Sequence, residues 1–363
     1  MRAVVIAAAL VVATRAARAY PQFQLSKDQT CTACHIDPAG GLLLNENGLS
    51  TAQSIATYDV PPEAAHGALV GPSWLEAGAE LRAGAGFVDS GRGPGGGAYP
   101  MQADGEVALH GHGFTLMGTF GPQMASSASD IIASREHWLM WQPDASSTDG
   151  LYIRVGRFLP VFGLRLAEHD VYTRQYGPTP LYGEAYGAAV EYIEPGWEVH
   201  ATGFVHDPIQ DSVQKGDGGA LYGEARMTKA LSLGLEGFYA TSDVDARWYG
   251  GATAKYWIAP VLFEAEVIAI RQSFDAGSAR DQLASYLVGS WFVHDGWMVD
   301  IGVGQFDEDL HVAKVDLECL DANVHWFLTS HWELLETNRV QTIALGTGGA
   351  TSGFALLQFH YRL

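Results

Sequence analysis

The sequence predicts an all-β chain: a transmembrane antiparallel β-barrel of about sixteen strands behind a short N-terminal segment of different character. Three observations carry this prediction. From Trp74 onward the chain divides into short stretches that alternate apolar and polar side chains. The connections between those stretches alternate long and short. The last stretch, FALLQFHYRL, puts Leu357, Phe359, Tyr361 and Leu363 on one face and Gln358, His360 and Arg362 on the other. An apolar outer face over a polar lumen face is the alternation of outer-membrane barrels. A soluble β-sandwich also alternates, but strand length, loop parity and the final strand favour the barrel.

The sixteen candidate strands run over 74–88, 103–111, 112–121, 135–142, 151–158, 186–194, 196–206, 219–229, 231–241, 246–258, 260–272, 281–292, 296–305, 315–327, 331–342 and 352–363. Many are close to the 9–11 residues of a membrane-spanning strand. In 260–272, Val261, Phe263, Ala265 and Val267 oppose Glu264 and Glu266. The odd-numbered connections are long and polar: 89–102, 122–134, 159–185, 207–218, 273–280, 306–314 and 343–351. The even ones are tight, at 111, 194–196, 229–231, 259–260, 294–296 and 329–330. Two connections break the rule, 143–150 by being long and 242–245 by being short. Cys319 is expected on the outward face with Val315 and Leu317, as a packing residue.

The first nineteen residues read as an export signal. Arg2 follows Met1, an apolar run covers 3–13, and ARA at 17–19 fits a cleavage site. Setting aside Arg2, Arg15 and Arg18, 18 basic side chains remain against 41 acidic, a balance of −23. Such a field argues against nucleic acid and for cations or basic partners. No other apolar run approaches the length of a transmembrane helix.

Between signal and barrel lies DQTCTACHIDPAGG, with Cys31, Cys34 and His35 spaced C-x-x-C-H. This is the c-type haem attachment signature: two thiols each add to a haem vinyl group, and the adjacent His supplies the proximal iron ligand. The rival chemistries fit less well. Structural zinc needs four ligands, and the remaining thiol, Cys319, is far along the chain. A thioredoxin-like pair needs a βαβ setting. The sixth iron ligand is open. His66 is the nearest downstream His, and a barrel residue or an open site are the alternatives. The segment 20–72 is marginal for a core of its own, so haem packed against the leucines of GGLLLNENGL (40–49) is expected to supply apolar mass. The reading is therefore signal peptide 1–19, monohaem cytochrome c segment 20–72, and outer-membrane barrel 73–363, with the haem segment periplasmic or inside the barrel.

The long connection 159–185 carries Arg165, His169 and Arg174. It either folds inward as a basic constriction or lies outside as a solvated loop. Its lead-in, VGRFLPVFGLR, resembles the G-[KR]-F-x-x-P-F-G stretch of phosphate-selective-type porins. Acidic residues gather in other long connections: Asp207, Asp211 and Asp217; Asp243 and Asp245; Asp307, Glu308 and Asp309. They either collect divalent cations or are solvated loop tips.

An export signal, one C-x-x-C-H near the mature N-terminus and a porin-like barrel together resemble the fused monohaem cytochrome–porin family of the bacterial outer membrane. Cys31, Cys34, His35 and the following PAGGLLLNENG (38–48) carry the resemblance. Members with an assigned role are Fe(II) oxidases of iron-oxidising bacteria. The resemblance thus implies an electron conduit: one covalent haem c between an extracellular donor or acceptor, Fe(II) foremost, and a periplasmic cytochrome or other carrier. A solute porin with a haem-bearing plug is the alternative, and a soluble periplasmic β-protein with a cytochrome tail is a third reading.

Overall fold

The computed structural model describes residues 21–61, 63–66, 72–89, 94–122, 134–207, 216–313, 316–343 and 349–363. The signal segment, Asp211 and the side chain of His66 lie outside the described residues. Sixteen strands follow one another around a closed antiparallel barrel. They are β1 (Leu75–Asp89), β2 (Pro94–Gly111), β3 (Phe114–Phe120), β4 (His137–Trp141), β5 (Gly150–Phe158), β6 (Ala185–Glu194), β7 (Trp197–Val205) and β8 (Asp217–Thr228). The ring continues through β9 (Leu231–Thr241), β10 (Asp245–Ile258), β11 (Val261–Phe274), β12 (Ala279–His294), β13 (Trp297–Asp307), β14 (Asp316–Phe327), β15 (Trp332–Ile343) and β16 (Thr351–Arg362). β16 pairs with β1 from Glu80↔Arg362 to Asp89↔Gly353, which leaves neither as an open edge.

Every strand read from the alternation is present. Two connections differ. The connection 273–280, expected to be long, is a four-residue turn at 275–278, because β11 and β12 pair as far as Ser273↔Ala279. The Gly- and Pro-rich 89–102 is not a loop, because β2 begins at Pro94 and pairs with β1 up to Asp89. Three adjacent glycines weaken a strand by themselves, yet β1 offers them a ready partner. Pro100 sits beside the register shift at Arg82/Ala83, where a missing N–H is tolerated. Connection 242–245 is short, closed by Ser242 N–H donating to the Asp245 carbonyl (2.8 Å).

The two faces of the wall differ as the alternation requires. Leu139, Val190, Leu235, Phe263, Val267, Leu287, Ile301, Val340 and Leu357 point outward, with Leu235 72% exposed. Aromatics bracket this band. Trp141, Tyr192, Trp197, Tyr256, Trp291, Trp332 and Phe359 stand at the tight-turn end, and Phe120, Tyr239 and Trp248 at the other. That is the outer surface a bilayer requires. Inward, Glu264, Glu266, Asp300, Asp321, His325 and Arg339 are buried. Cys319 belongs to this inner set, contrary to the outward placement expected. It shares a face with Asp321 and Asn323, while Leu320 is exposed, and its Sγ lies 3.9 Å from the Asp321 carboxylate. Alternation had been phased on Leu317, which itself packs inward.

Two inserts fill the lumen. One is the N-terminal segment, with helices α1 (Gln22–Ser26), α2 (Cys31–Cys34), α3 (Glu46–Ile55) and α4 (Glu63–His66). The other is the connection 159–184, with the short helix α5 (Tyr172–Gln175). The connection folds inward: Phe162 and Tyr172 join Phe204, Phe238, Tyr249, Ile268 and Phe306 in one buried cluster. Its basic residues are engaged there. Arg165 pairs with Glu198 and covers the Tyr222 ring, and Arg174 donates to the Leu166 carbonyl (2.6 Å).

Candidate functional site

The C-x-x-C-H stretch is held by its neighbours in sequence. Thr30 caps α2 by accepting from Ala33 N–H (3.2 Å), which satisfies one of the orphan donors of a helix start. The following PAGGLLLNENG folds straight back on it. Gly40 and Gly41 take positive φ and turn the chain, so that Ile36 N–H reaches the Leu43 carbonyl (3.2 Å) and Leu44 bridges His35. The turn sets the Gly41 carbonyl 2.9 Å from His35 Nδ1. A carbonyl only accepts, so the neutral ring carries its proton on Nδ1 and its lone pair on Nε2. Burial pushes the His35 pKa down to about 4, which keeps the ring neutral.

The same stretch latches helix to helix. Asn45 N–H donates to the Cys34 carbonyl (3.0 Å), and its side chain donates to the Thr32 carbonyl (3.1 Å) while accepting from Gly48 N–H (2.9 Å). Asn47 Nδ2 donates to the Ala33 carbonyl (2.8 Å). A Cβ on Gly48 would overlap the Cys34 carbonyl, so only glycine lets α3 lie this close. Leu42 and Leu43 were expected to pack on haem. They instead enter a wall cluster with Met117, Trp138, Tyr152 and Phe158, and only Leu44 faces the cavity.

That cavity holds about 870 Å³ free of protein atoms, at the tight-turn end of the barrel. Cys31, Cys34, His35, Leu44 and Ile55 line one side of it. Phe327, His331, Trp332, Glu333 and His360 line the other. Cys31 and Cys34 are free thiols. Burial pushes the Cys31 thiol up to about 11, and Cys34 donates to Gln29 Oε1 (2.9 Å). Among the described residues no group of three or more His, Cys, Asp or Glu side chains is placed to hold a metal ion by itself. The arrangement has two thiols one helical turn apart, a neutral imidazole aimed from its own backbone, and a partly apolar cavity of small-molecule size before them.

Buried polar contacts dock the segment to the wall. Arg154, fully buried, donates to Asp37 (2.6 Å) and Glu191 (2.9 Å) and stacks over Phe158. Lys255 donates to Gln24 Oε1 (2.7 Å), and Arg226 pairs with Asp28 (2.6 Å). The over-long connection 143–150 has a part in this, since Asp149 accepts from the Thr30 hydroxyl (3.3 Å). Farther on, Thr57 N–H donates to the Phe327 carbonyl (2.8 Å), Tyr58 N–H to the Leu328 carbonyl (3.0 Å), and Gly296 N–H to the Ile55 carbonyl (2.7 Å). Gly296 has φ of 83°, and a side chain there would strike Thr57.

A second cavity, about 1390 Å³, opens at the long-loop end between β1, β2, β15, β16 and residues 167–170. Its floor includes Arg82, Thr337 and Gln358, and His169 lines it. Gln358 and His360, which lines the first cavity, are two residues apart on one face of β16, about 7 Å along a strand. Between the cavities stands a layer in which His360 Nδ1 meets Glu333 (3.1 Å) and its Nε2 meets Glu80.

Four of the described acidic loop residues are paired with basic neighbours. Asp207 is paired with Arg157 (2.6 Å), Asp217 with His206 (2.8 Å), Asp245 with Arg247 (2.8 Å) and Glu308 with Arg280 (2.6 Å).

The barrel is similar to solved outer-membrane porins. OmpT of Vibrio cholerae matches with a TM-score of 0.62 at 14% identity, over 80% of this chain and 97% of that one. The anion-selective porin of Comamonas acidovorans matches with a TM-score of 0.59 at 13% identity, over 80% and 99%. OprB of Pseudomonas putida matches with a TM-score of 0.58 at 10% identity, over 85% and 99%. No protein-family model and no curated protein sequence matches the chain. The class defined by the fold is the sixteen-stranded porin-type barrel. In this chain a C-x-x-C-H segment is seated in the barrel lumen.

Proposed function

We propose that the protein is an outer-membrane electron conduit. One haem c on Cys31, Cys34 and His35 passes electrons between an extracellular donor or acceptor, Fe(II) foremost, and a periplasmic cytochrome or similar carrier. The observation that carries the reading is the cavity: free thiols and a neutral imidazole with a backbone-fixed tautomer face a space walled by Phe23, Ile55 and Phe327. Haem c bound there supplies a one-electron couple.

The chain's residues do the rest. Cys31 and Cys34 would hold the haem through two thioether bonds. Gly41 holds the His35 ring so that Nε2 presents its lone pair to the cavity. Phe23, Ile55 and Phe327 exclude water, which bears on the potential. The long-loop cavity lets a small donor approach to within one layer of side chains of the haem site. The apolar outer band insulates the path. Two inserts occupy the lumen, which speaks against free solute flow, although the porin likeness keeps a solute porin with a haem-bearing plug as the alternative.

The test begins with denatured protein on a gel. A haem stain is expected, and Cys31→Ala/Cys34→Ala is expected to abolish it. Protein in sealed vesicles is then exposed to external Fe(II). Reduction of the haem supports the conduit. A stained protein that external Fe(II) leaves oxidised, in vesicles that swell with sugars, establishes the porin alternative.

A further inference from the structure

The inner wall carries acid away from the motif cavity. Glu236 on β9 and Glu264 on β11 are 7% and 0% exposed, and neither carboxylate has a hydrogen-bond partner on either oxygen. On β10, which runs between those strands, Thr253 is 4% exposed and its hydroxyl is equally unpartnered. Glu266 lies two residues from Glu264 on the same face of β11, opposite Thr253 in register. Nearby basic groups are engaged elsewhere. Lys255, opposite Glu264, donates to Glu224 (2.7 Å) and Gln24 (2.7 Å), and Arg174, which faces Glu266, donates to the Leu166 carbonyl (2.6 Å). Buried oxygens left in this state call for an ion, a water or a chemical role.

Glu236 and Glu266 converge. β10 separates their strands, and there Gly251, opposite Glu236, has no side chain to hold them apart. A Cβ at Gly251 would overlap Glu236 Oε1. From the lumen side, Gly163 of the inward connection meets both: a Cβ there would overlap Glu266 Oε1, and its N–H faces Glu236. The two carboxyl groups thus face each other beneath Gly163. Carboxylates held together repel, and a positive charge between them relieves the repulsion.

The available donors are oxygen atoms. Oxygen-only sets suit hard cations such as Ca²⁺ and Mg²⁺, whereas zinc and copper favour nitrogen and sulfur. Glu266, Gly163, Leu164 and Thr173 also border a cavity of about 990 Å³ between the two inserts. It has room for the waters that such ions keep when only one or two carboxylates hold them.

We propose that Glu236 and Glu266 bind a divalent cation of the Ca²⁺ or Mg²⁺ class, which ties the inward connection 159–184 to β9 and β11. Water from the cavity completes its shell, with Glu264 and the Thr253 hydroxyl as the polar groups beside it. The site is independent of the haem reading.

The test uses full-length protein in detergent, stripped with EDTA and titrated with calcium chloride or magnesium chloride. Melting curves and amide exchange are the readouts. EDTA is expected to lower the melting temperature and to speed exchange in 159–184, and either salt is expected to restore both with saturation. Glu236→Gln alone should raise the half-saturating concentration about tenfold or more, and Glu236→Gln/Glu266→Gln should abolish the response. Asp307→Asn/Asp309→Asn, at the rim, should leave it intact. Should the double variant fail to fold, Glu236→Asp keeps the charge with a shorter reach and should show the same weakened titration. An unsubstituted protein that ignores EDTA and both salts overturns the assignment, as does a double variant that responds like the unsubstituted protein. A protein that ignores EDTA but loosens at 159–184 as pH rises holds a shared proton in place of the metal, which also overturns it.

Discussion

The two inserts that fill this barrel are held by different mixtures of apolar and polar contact. The connection 159–184 is anchored by an aromatic cluster: Tyr176 stacks on Phe306 with ring centroids 3.8 Å apart, and Phe162 meets Phe238 edge-on at 6.1 Å. The N-terminal segment is pinned at polar points, by Asp37 on Arg154, Gln24 on Lys255 and Thr57 on the Trp326 indole (3.0 Å). A cavity of about 870 Å³ lies against its own C-x-x-C-H motif. An apolar cluster needs nothing from outside the chain to be stable. A segment joined to its surroundings by charges around a cavity has left room for a partner. The difference between the two inserts is therefore chemical: one is wall lining, the other a mount.

The sharpest way to break this comparison is to remove the thiols. Cys31→Ala/Cys34→Ala is expected to loosen residues 21–56, seen as lost amide-exchange protection, and to leave 159–184 protected. Equal loss in both inserts would mean that the segment is not a mount. Next in size is Arg154→Ala. It strands Asp37 and Glu191 as buried carboxylates and should cost about 3–5 kcal/mol. Limited proteolysis should find the cost in the N-terminal segment first.

The wall gives a control that touches both inserts alike. Leu235→Arg, on the outward face in mid-strand, should destabilise the folded barrel by about 2–4 kcal/mol in lipid. Phe359→Arg should cost only about 0–1 kcal/mol, because Phe359 stands in the aromatic band beside Trp332, with centroids 4.7 Å apart. Equal costs measured by reversible unfolding in lipid would misplace the band. Smaller again, Ile268→Val in the buried cluster should cost about 0.5–1.5 kcal/mol, with exchange near 159–184 rising and the N-terminal segment unmoved. Smallest is Glu308→Gln at the rim. Its pair with Arg280 is half exposed and worth at most about 1 kcal/mol. That effect should fade as salt rises, in melting curves at two ionic strengths.

The wall was legible in the sequence because its rule is local. A lipid face and a lumen face repeat every two residues, so Phe263 against Glu264 states the orientation of β11 without reference to any other strand. The phase failed at Cys319, because Leu317 is apolar and yet packs inward on the lumen face. Gly95–Gly97 hid the start of β2, since glycine speaks of turns until a partner strand is known. The motif residues Cys31, Cys34 and His35 were legible from their spacing, and the structure brings them to one cavity. The lumen was not legible. Arg154 meets Asp37 across more than a hundred residues, and no period connects them. His331 looked like part of a plain turn, because only closure of the ring carries it to the cavity and sets Arg362 against its Nδ1.

Every residue lining the motif cavity falls either between 21 and 55 or between 327 and 362. Nothing from β2 to β13 contributes to it. The cavity is thus a product of chronology as well as geometry. The stretch synthesised early waits for the stretch synthesised late, and the pairing of β16 with β1 that seals the ring also supplies the second half of the site. A barrel stalled before that step has the two thiols and the His35 imidazole but no opposing wall. Completion of the pocket therefore reports completion of the fold.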